Sequence, residues 1–87
     1  MMPTYVIGGI LQELNRAKAK WGPWPIDPIH AASVLAEEAG ELVQAANDFC
    51  YSGGSLEQME LEARQVGAMA VRFLEGLEKY KRVQGYE

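Results

Sequence analysis

The chain has 87 residues and a mass of 9.6 kDa, enough for a single domain over residues 1–87 that hides only about 60–65% of its unfolded surface on folding. Hydrophobic residues are 48% and charged residues 23%, which argues against a disordered or fibrous chain. Twelve acids against eight bases give a formal charge of −4. That balance disfavours nonspecific binding to nucleic acid or an anionic membrane, and a phosphate-bearing ligand would need a cation between it and the protein.

Cys50 is the single cysteine, so no internal disulfide forms, and it lacks the CxxC or His-spaced partner of a zinc site. No apolar run approaches the length of a membrane span, and the stretch from Met1 to Leu11 has no basic region ahead of its hydrophobic residues. The expectation is a cytoplasmic protein with neither signal peptide nor membrane segment.

Two clusters of breakers, Gly22-Pro23-Pro25-Pro28 and Ser52-Gly53-Gly54-Ser55, divide the chain into three stretches. Each has helical periodicity, and none shows the sustained alternation of a strand, so the fold class is all-α. The first helix is expected from about Thr4 to Lys20, with Val6, Ile10, Leu14 and Ala17 or Lys18 on one face and Gly8 and Gly9 weakening its opening turns. Asp27-Pro28 signals the start of the second, because Asp accepts from exposed N–H groups and Pro at the first position loses no hydrogen bond. That helix should run to about Cys50. Ser55 and Gln58 have the spacing of a capping box and open a third helix, expected to reach about Tyr80. A linking loop of about four residues makes the second and third helices an antiparallel hairpin.

The inward stripe of the second helix reads Ala31, Leu35, Glu38, Leu42, Ala45, Phe49, and Glu38 interrupts it. Glu41 stands one turn on, and Glu37 lies four residues before Glu41. The third helix has Met59, Ala63, Val66, Met69 or Ala70, Phe73 and Leu77 in its stripe, with Glu62 on the same face as Val66, Met69 and Phe73. Unpaired carboxylates at a seam cost several kcal/mol, so a positive charge must compensate. Two readings stand: solvated ion pairs with Arg64, Arg72 or Lys20, or chelation of a hard cation such as Mg²⁺.

Glu37-Glu38-Ala39-Gly40-Glu41-Leu42, the Ser52-Gly53-Gly54 turn and Glu62 on the following helix together resemble the MazG-like all-α nucleoside triphosphate pyrophosphohydrolases. That family carries an ExxE pair on one helix and an ExxD pair on the next. Glu38 and Glu41 match the first pair, and Glu62 opens the second; Arg16, Lys20-Trp21-Gly22 and His30-Ala31 are similar to the segment before the box. The likeness covers about residues 10–78. Gln65 stands where the family has its closing Asp, a neutral amide that can ligate Mg²⁺ or hold a water but brings no charge. Glu57 and Glu60 form a rival second pair in the first turns of the third helix.

The resemblance implies hydrolysis of a nucleoside triphosphate to its monophosphate and pyrophosphate, with Mg²⁺, or Mn²⁺ in its place, held by Glu38, Glu41, Glu62 and Gln65. Glu37 or Glu38 would take the proton of water. Trp21, Trp24 and His30 are candidates for holding the base, against the alternative that they plug helix ends or make structural hydrogen bonds. Arg16, Lys20 and Arg72 are candidate phosphate contacts. A hairpin and one further helix cannot cover every apolar face, so a homodimer forming a four-helix bundle, or a homotetramer, is expected, as the family also implies. The competing reading is a noncatalytic helical assembly or ligand-binding module in which Gln65 marks lost chemistry.

Overall fold

Asp27 and Ser55 start their helices as their side chains allow. In the computed structural model, which describes residues 1–82, Asp27 Oδ1 accepts from the backbone N–H of Ile29 at 2.8 Å and of His30 at 3.4 Å. Ser55 Oγ accepts from the N–H of Gln58 at 3.0 Å. Three helices follow from these signals: α1 (Thr4–Trp21), α2 (Pro28–Tyr51) and α3 (Leu56–Glu75), then a 3-10 turn over Leu77–Lys79. Among the described residues there is no strand, and residues 83–87 of the expected domain lie outside them. Gly22 ends α1 at φ +73°, where a side chain would be strained, and turns the chain into the proline segment.

α3 lies in the middle. It packs against α2 as the expected hairpin and against α1 on another side, while α1 and α2 do not pack on each other. The core is small: Leu14 and Ala17 of α1 meet Ala68 and Met69 of α3, with Trp24, Val34, Leu35 and Val71 partly buried around them. The predicted α1 face is therefore the one that is buried. Close approach of α1 to α3 depends on glycine, since a Cβ at Gly67 would lie 3.1 Å from Ile10 Cδ1 and one at Gly9 would strike the Arg64 guanidinium.

The third helix stops at Glu75, not near Tyr80 as its apolar pattern suggested. Gly76 caps it, donating its N–H to the carbonyls of Arg72 and Phe73 at 3.1 and 3.2 Å. Tyr80 then folds back: its ring centroid lies 5.0 Å from that of Phe73, and its hydroxyl donates to the Phe73 carbonyl at 2.8 Å. Leu77, expected in the inner stripe, is consequently 57% exposed. Phe49 and Ala63, also expected inside, are exposed as well, because nothing covers the hairpin there and Ala63 borders an open groove with Leu42 and Met59.

Gly40 differs from Gly67 in having nothing within 4 Å of a Cβ. Gly40→Ala is expected to raise the unfolding free energy by about 0.5–1 kcal/mol, the helix-propensity difference. A loss in urea denaturation would mean that the added methyl meets a second copy of the chain.

Candidate metal centre and its cleft

Glu38 and Glu41 share one face of α2, and Glu62 faces them from α3 because the hairpin is antiparallel. One carboxylate oxygen from each lies within 4.8 Å of the other two. Glu38 and Glu62 are half-buried and Glu41 is exposed. Burial raises the Glu38 pKa above its usual value, and the negative charges of Glu41 and Glu62 add to the rise. Glu62 is raised too, again by burial first and by Glu41 next.

The cations that could have neutralised this cluster go elsewhere. Arg64 pairs with Glu60 at 3.3 Å, Lys18 with Glu75 at 3.1 Å, and Arg16 with Glu13. Lys20 Nζ sits 4.8 Å from the centre of the Trp21 ring. Among the described residues no ion pair reaches Glu38, Glu41 or Glu62, so the solvated-pair reading with Arg64, Arg72 or Lys20 is not what the chain adopts. Amides approach the acids instead. Gln58 Nε2 donates to Glu62 Oε1 at 2.9 Å, so its side chain does not close the capping box. With its nitrogen towards the acids, the Gln65 amide donates to Glu38 Oε2 at 3.2 Å and Glu62 Oε2 at 3.0 Å.

Because α1 and α2 both rest on α3 without meeting, a cleft of about 600 Å³ opens between them. Its floor is α3, with Gln65, Met69 and Arg72. Glu13, Arg16 and Lys20 form the α1 wall, while His30, Glu37, Glu38 and Glu41 form the α2 wall. Trp21 and Trp24 border one end. Glu57 and Glu60 border the separate groove beside Met59, so the Glu62 register is the one that joins the Glu38–Glu41 pair.

The two tryptophans divide their roles. Trp24 is partly buried and its Nε1 donates to the Tyr80 hydroxyl at 2.8 Å, so it plugs a helix end. Trp21 is 65% exposed beside the cleft, where its ring is accessible. His30 is exposed, and among the described residues its imidazole makes no hydrogen bond. Arg72, expected to contact phosphate, is buried, donates to the Gly22 carbonyl and lies over the Trp24 ring at 4.9 Å. Its guanidinium is committed to fastening the α1 terminus to α3. Arg16 is free of burial constraints at the cleft wall but shares its charge with Glu13.

Glu13 escaped the sequence reading, although its position, three beyond Ile10 and four before Ala17, puts it on the buried stripe of α1. It is only 7% exposed. The hydrogen bond from Arg16, strongest of several influences, holds its carboxyl below the usual range.

No family model, curated protein or solved structure matches the chain. The assignment therefore rests on its own residues. The oxygen-only donor set, with three carboxylates and one amide, suits a hard divalent cation and not a soft one. The acid cluster thus fits the Mg²⁺ that the MazG-like resemblance implies.

Proposed function

We propose that the protein is a Mg²⁺-dependent nucleoside triphosphate pyrophosphohydrolase of the MazG-like kind, converting an NTP or dNTP to the monophosphate and pyrophosphate. The observation that carries this reading is the convergence of Glu38, Glu41 and Glu62 beside an open cleft, with no cationic side chain paired to them among the described residues. A bound divalent cation supplies positive charge to the phosphate oxygens and lowers the pKa of water. Glu38, Glu41, Glu62 and the Gln65 oxygen would hold it. Water adds to the α-phosphorus, the bond to the bridging oxygen breaks, and pyrophosphate leaves; the water proton passes to Glu37, or to the Glu38 oxygen not used as ligand. Arg16 and Lys20 on the opposite wall face the phosphate chain, and Trp21 and His30 hold the base.

The test is a panel of nucleoside triphosphates with Mg²⁺ or Mn²⁺, followed for pyrophosphate as distinct from orthophosphate. Pyrophosphate release is expected with at least one base. Its absence with every base and both metals would favour the noncatalytic module, a reading that the Gln65 amide supports by giving two of the acids a neutral partner.

Trp21→Ala is expected to raise KM about tenfold with little change in kcat, because stacking on a base contributes about 1–3 kcal/mol. Trp24→Ala should instead lower the unfolding free energy by about 2–3 kcal/mol, through lost packing and the lost bond to Tyr80. Steady-state kinetics and urea denaturation on both variants separate the two roles.

The reading includes a homodimer, closing a four-helix bundle over apolar side chains that this chain leaves exposed, among them Val43, Leu56, Leu61 and Leu74. A homotetramer would pair two such dimers. Light scattering after size exclusion should report at least a dimer, and a stable folded monomer at micromolar concentration would contradict it. Among the described residues no helix is long and apolar enough to cross a membrane. The free thiol of Cys50 and the nucleotide chemistry together support a cytoplasmic site of action.

A further inference from the structure

Glu13 and Arg16 stand one turn apart on α1, and both line the cleft opposite Glu37, Glu38 and Glu41. Their burial is unequal. The Glu13 side chain is buried on the stripe that carries Leu14 and Ala17, whereas that of Arg16 is nearly half exposed. The acid is therefore fixed by the seating of α1 on α3, and the base takes its place from the acid.

A guanidinium has two edges that can grip an oxyanion with paired N–H groups: a side edge of Nε and one terminal nitrogen, and an end edge of the two terminal nitrogens. In Arg16 the side edge is taken. Nε donates to Glu13 Oε1 at 2.8 Å, and Nη2 donates to the same oxygen. The end edge keeps Nη1 and the second hydrogen of Nη2, and among the described residues no group accepts from it. Lys20, the other cation of that wall, is a point charge on a flexible stem, with its Nζ over the Trp21 ring. Arg16 is thus the cation whose direction is set in advance.

We infer that Glu13 is a positioning residue for Arg16: it grips the side edge of the guanidinium so that the end edge meets two oxygens of a phosphate chain lying in the cleft. This rests on the nucleotide reading above and names what orients its phosphates. Paired, coplanar donors match two phosphate oxygens in a way that an ammonium does not. Holding them in place beforehand also spares the ordering of a long side chain when the ligand arrives.

The probe is inorganic triphosphate, which has the phosphates without a base, titrated by calorimetry into the whole chain with saturating Mg²⁺. Charge and orientation predict opposite signs for Glu13→Leu. Removing a carboxylate near a polyanion tightens binding by charge alone. Freeing Arg16 from its grip weakens it, and a loss of about 10-fold is expected, similar to that of Arg16→Met, the size of one charge-assisted hydrogen bond. In the Arg16→Met background, Glu13→Leu should cost nothing more, which a purely structural role would not reproduce. Glu13→Gln, whose carbonyl can accept from both nitrogens, should bind nearly as the wild type does. Glu13→Asp keeps the charge but withdraws the acceptor by one methylene, and it should bind more weakly than Glu13→Gln. That pair decides the question if Glu13→Leu does not fold.

Unchanged or tighter binding in Glu13→Leu, a further loss in the double variant, or Glu13→Asp binding better than Glu13→Gln overturns the inference alone. So does a wild-type chain that releases pyrophosphate from nucleotides yet takes up no triphosphate. Neither uptake nor release by the wild-type chain removes the proposed function with it.

Discussion

Glu38→Gln is expected to lower pyrophosphate release by at least about 100-fold, within the range for loss of an acid–base group, while making the cation-free fold more stable. Both effects have one cause. The Glu38 carboxylate is half-buried beside Glu41 and Glu62, and burial followed by those two charges makes its ionisation costly. An amide of the same shape removes the repulsion and one ligand charge together. Initial rates and thermal unfolding on the same preparation check the pair of outcomes. A fully active variant would remove Glu38 from the site; an inactive but less stable one would mean that Glu38 stabilises the fold through a partner outside this chain.

The second large effect is on pH dependence. Glu38 and Glu62 have pKa values raised above 4.5 on folding, in both cases through burial first. The folded state therefore holds protons that the unfolded state has already released, and stability falls as pH rises from about 4.5 through the raised values. Glu13 acts with the opposite sign: lowered chiefly by its hydrogen bond from Arg16, it contributes stability above its unfolded pKa that is lost as pH falls through the lower folded value. The cation-free protein should thus lose stability on going from mildly acidic to neutral pH. Mg²⁺ at a hundred times its dissociation constant should restore about 2.7 kcal/mol at neutral pH. Urea denaturation at several pH values, with Mg²⁺ or with EDTA, measures this. Identical curves with and without Mg²⁺ would leave the acids without a cation.

Much of the scaffold was legible because its signals are local. Asp27-Pro28 and Ser55 each act within one turn, and the α1 stripe of Ile10, Leu14 and Ala17 is a property of one helix. Glu38, Glu41 and Glu62 were legible as a group since a short loop makes neighbours of α2 and α3, whatever else the chain does. Glu13 was not, because the stripe of α1 does not say which helix it meets, and only the placement of α3 between α1 and α2 brings Glu13 to the cleft that Glu38 and Glu41 also line. Arg72 misled for a related reason: a basic residue near the acids invites a phosphate role, but here the side chain is buried and its head is used on Gly22 and Trp24. The end of α3 was overrun because the apolar Leu77 outweighed Gly76, whereas the fold-back of Tyr80 onto Phe73 is a contact no helical period encodes.

The two walls of the cleft are anchored independently, which under the proposed function would separate chemistry from selectivity. The three acids belong to the α2–α3 hairpin alone, whereas the gap opposite them is set by how deeply α1 seats on α3 over Gly9 and Gly67. A methyl at Gly67 would press on the Ile10 side chain of α1, 3.1 Å away, while one at Gly9 would meet only the movable guanidinium of Arg64. Under the proposed function, the space open to a ligand could therefore change at Gly67 while Glu38, Glu41 and Glu62 stay on their hairpin.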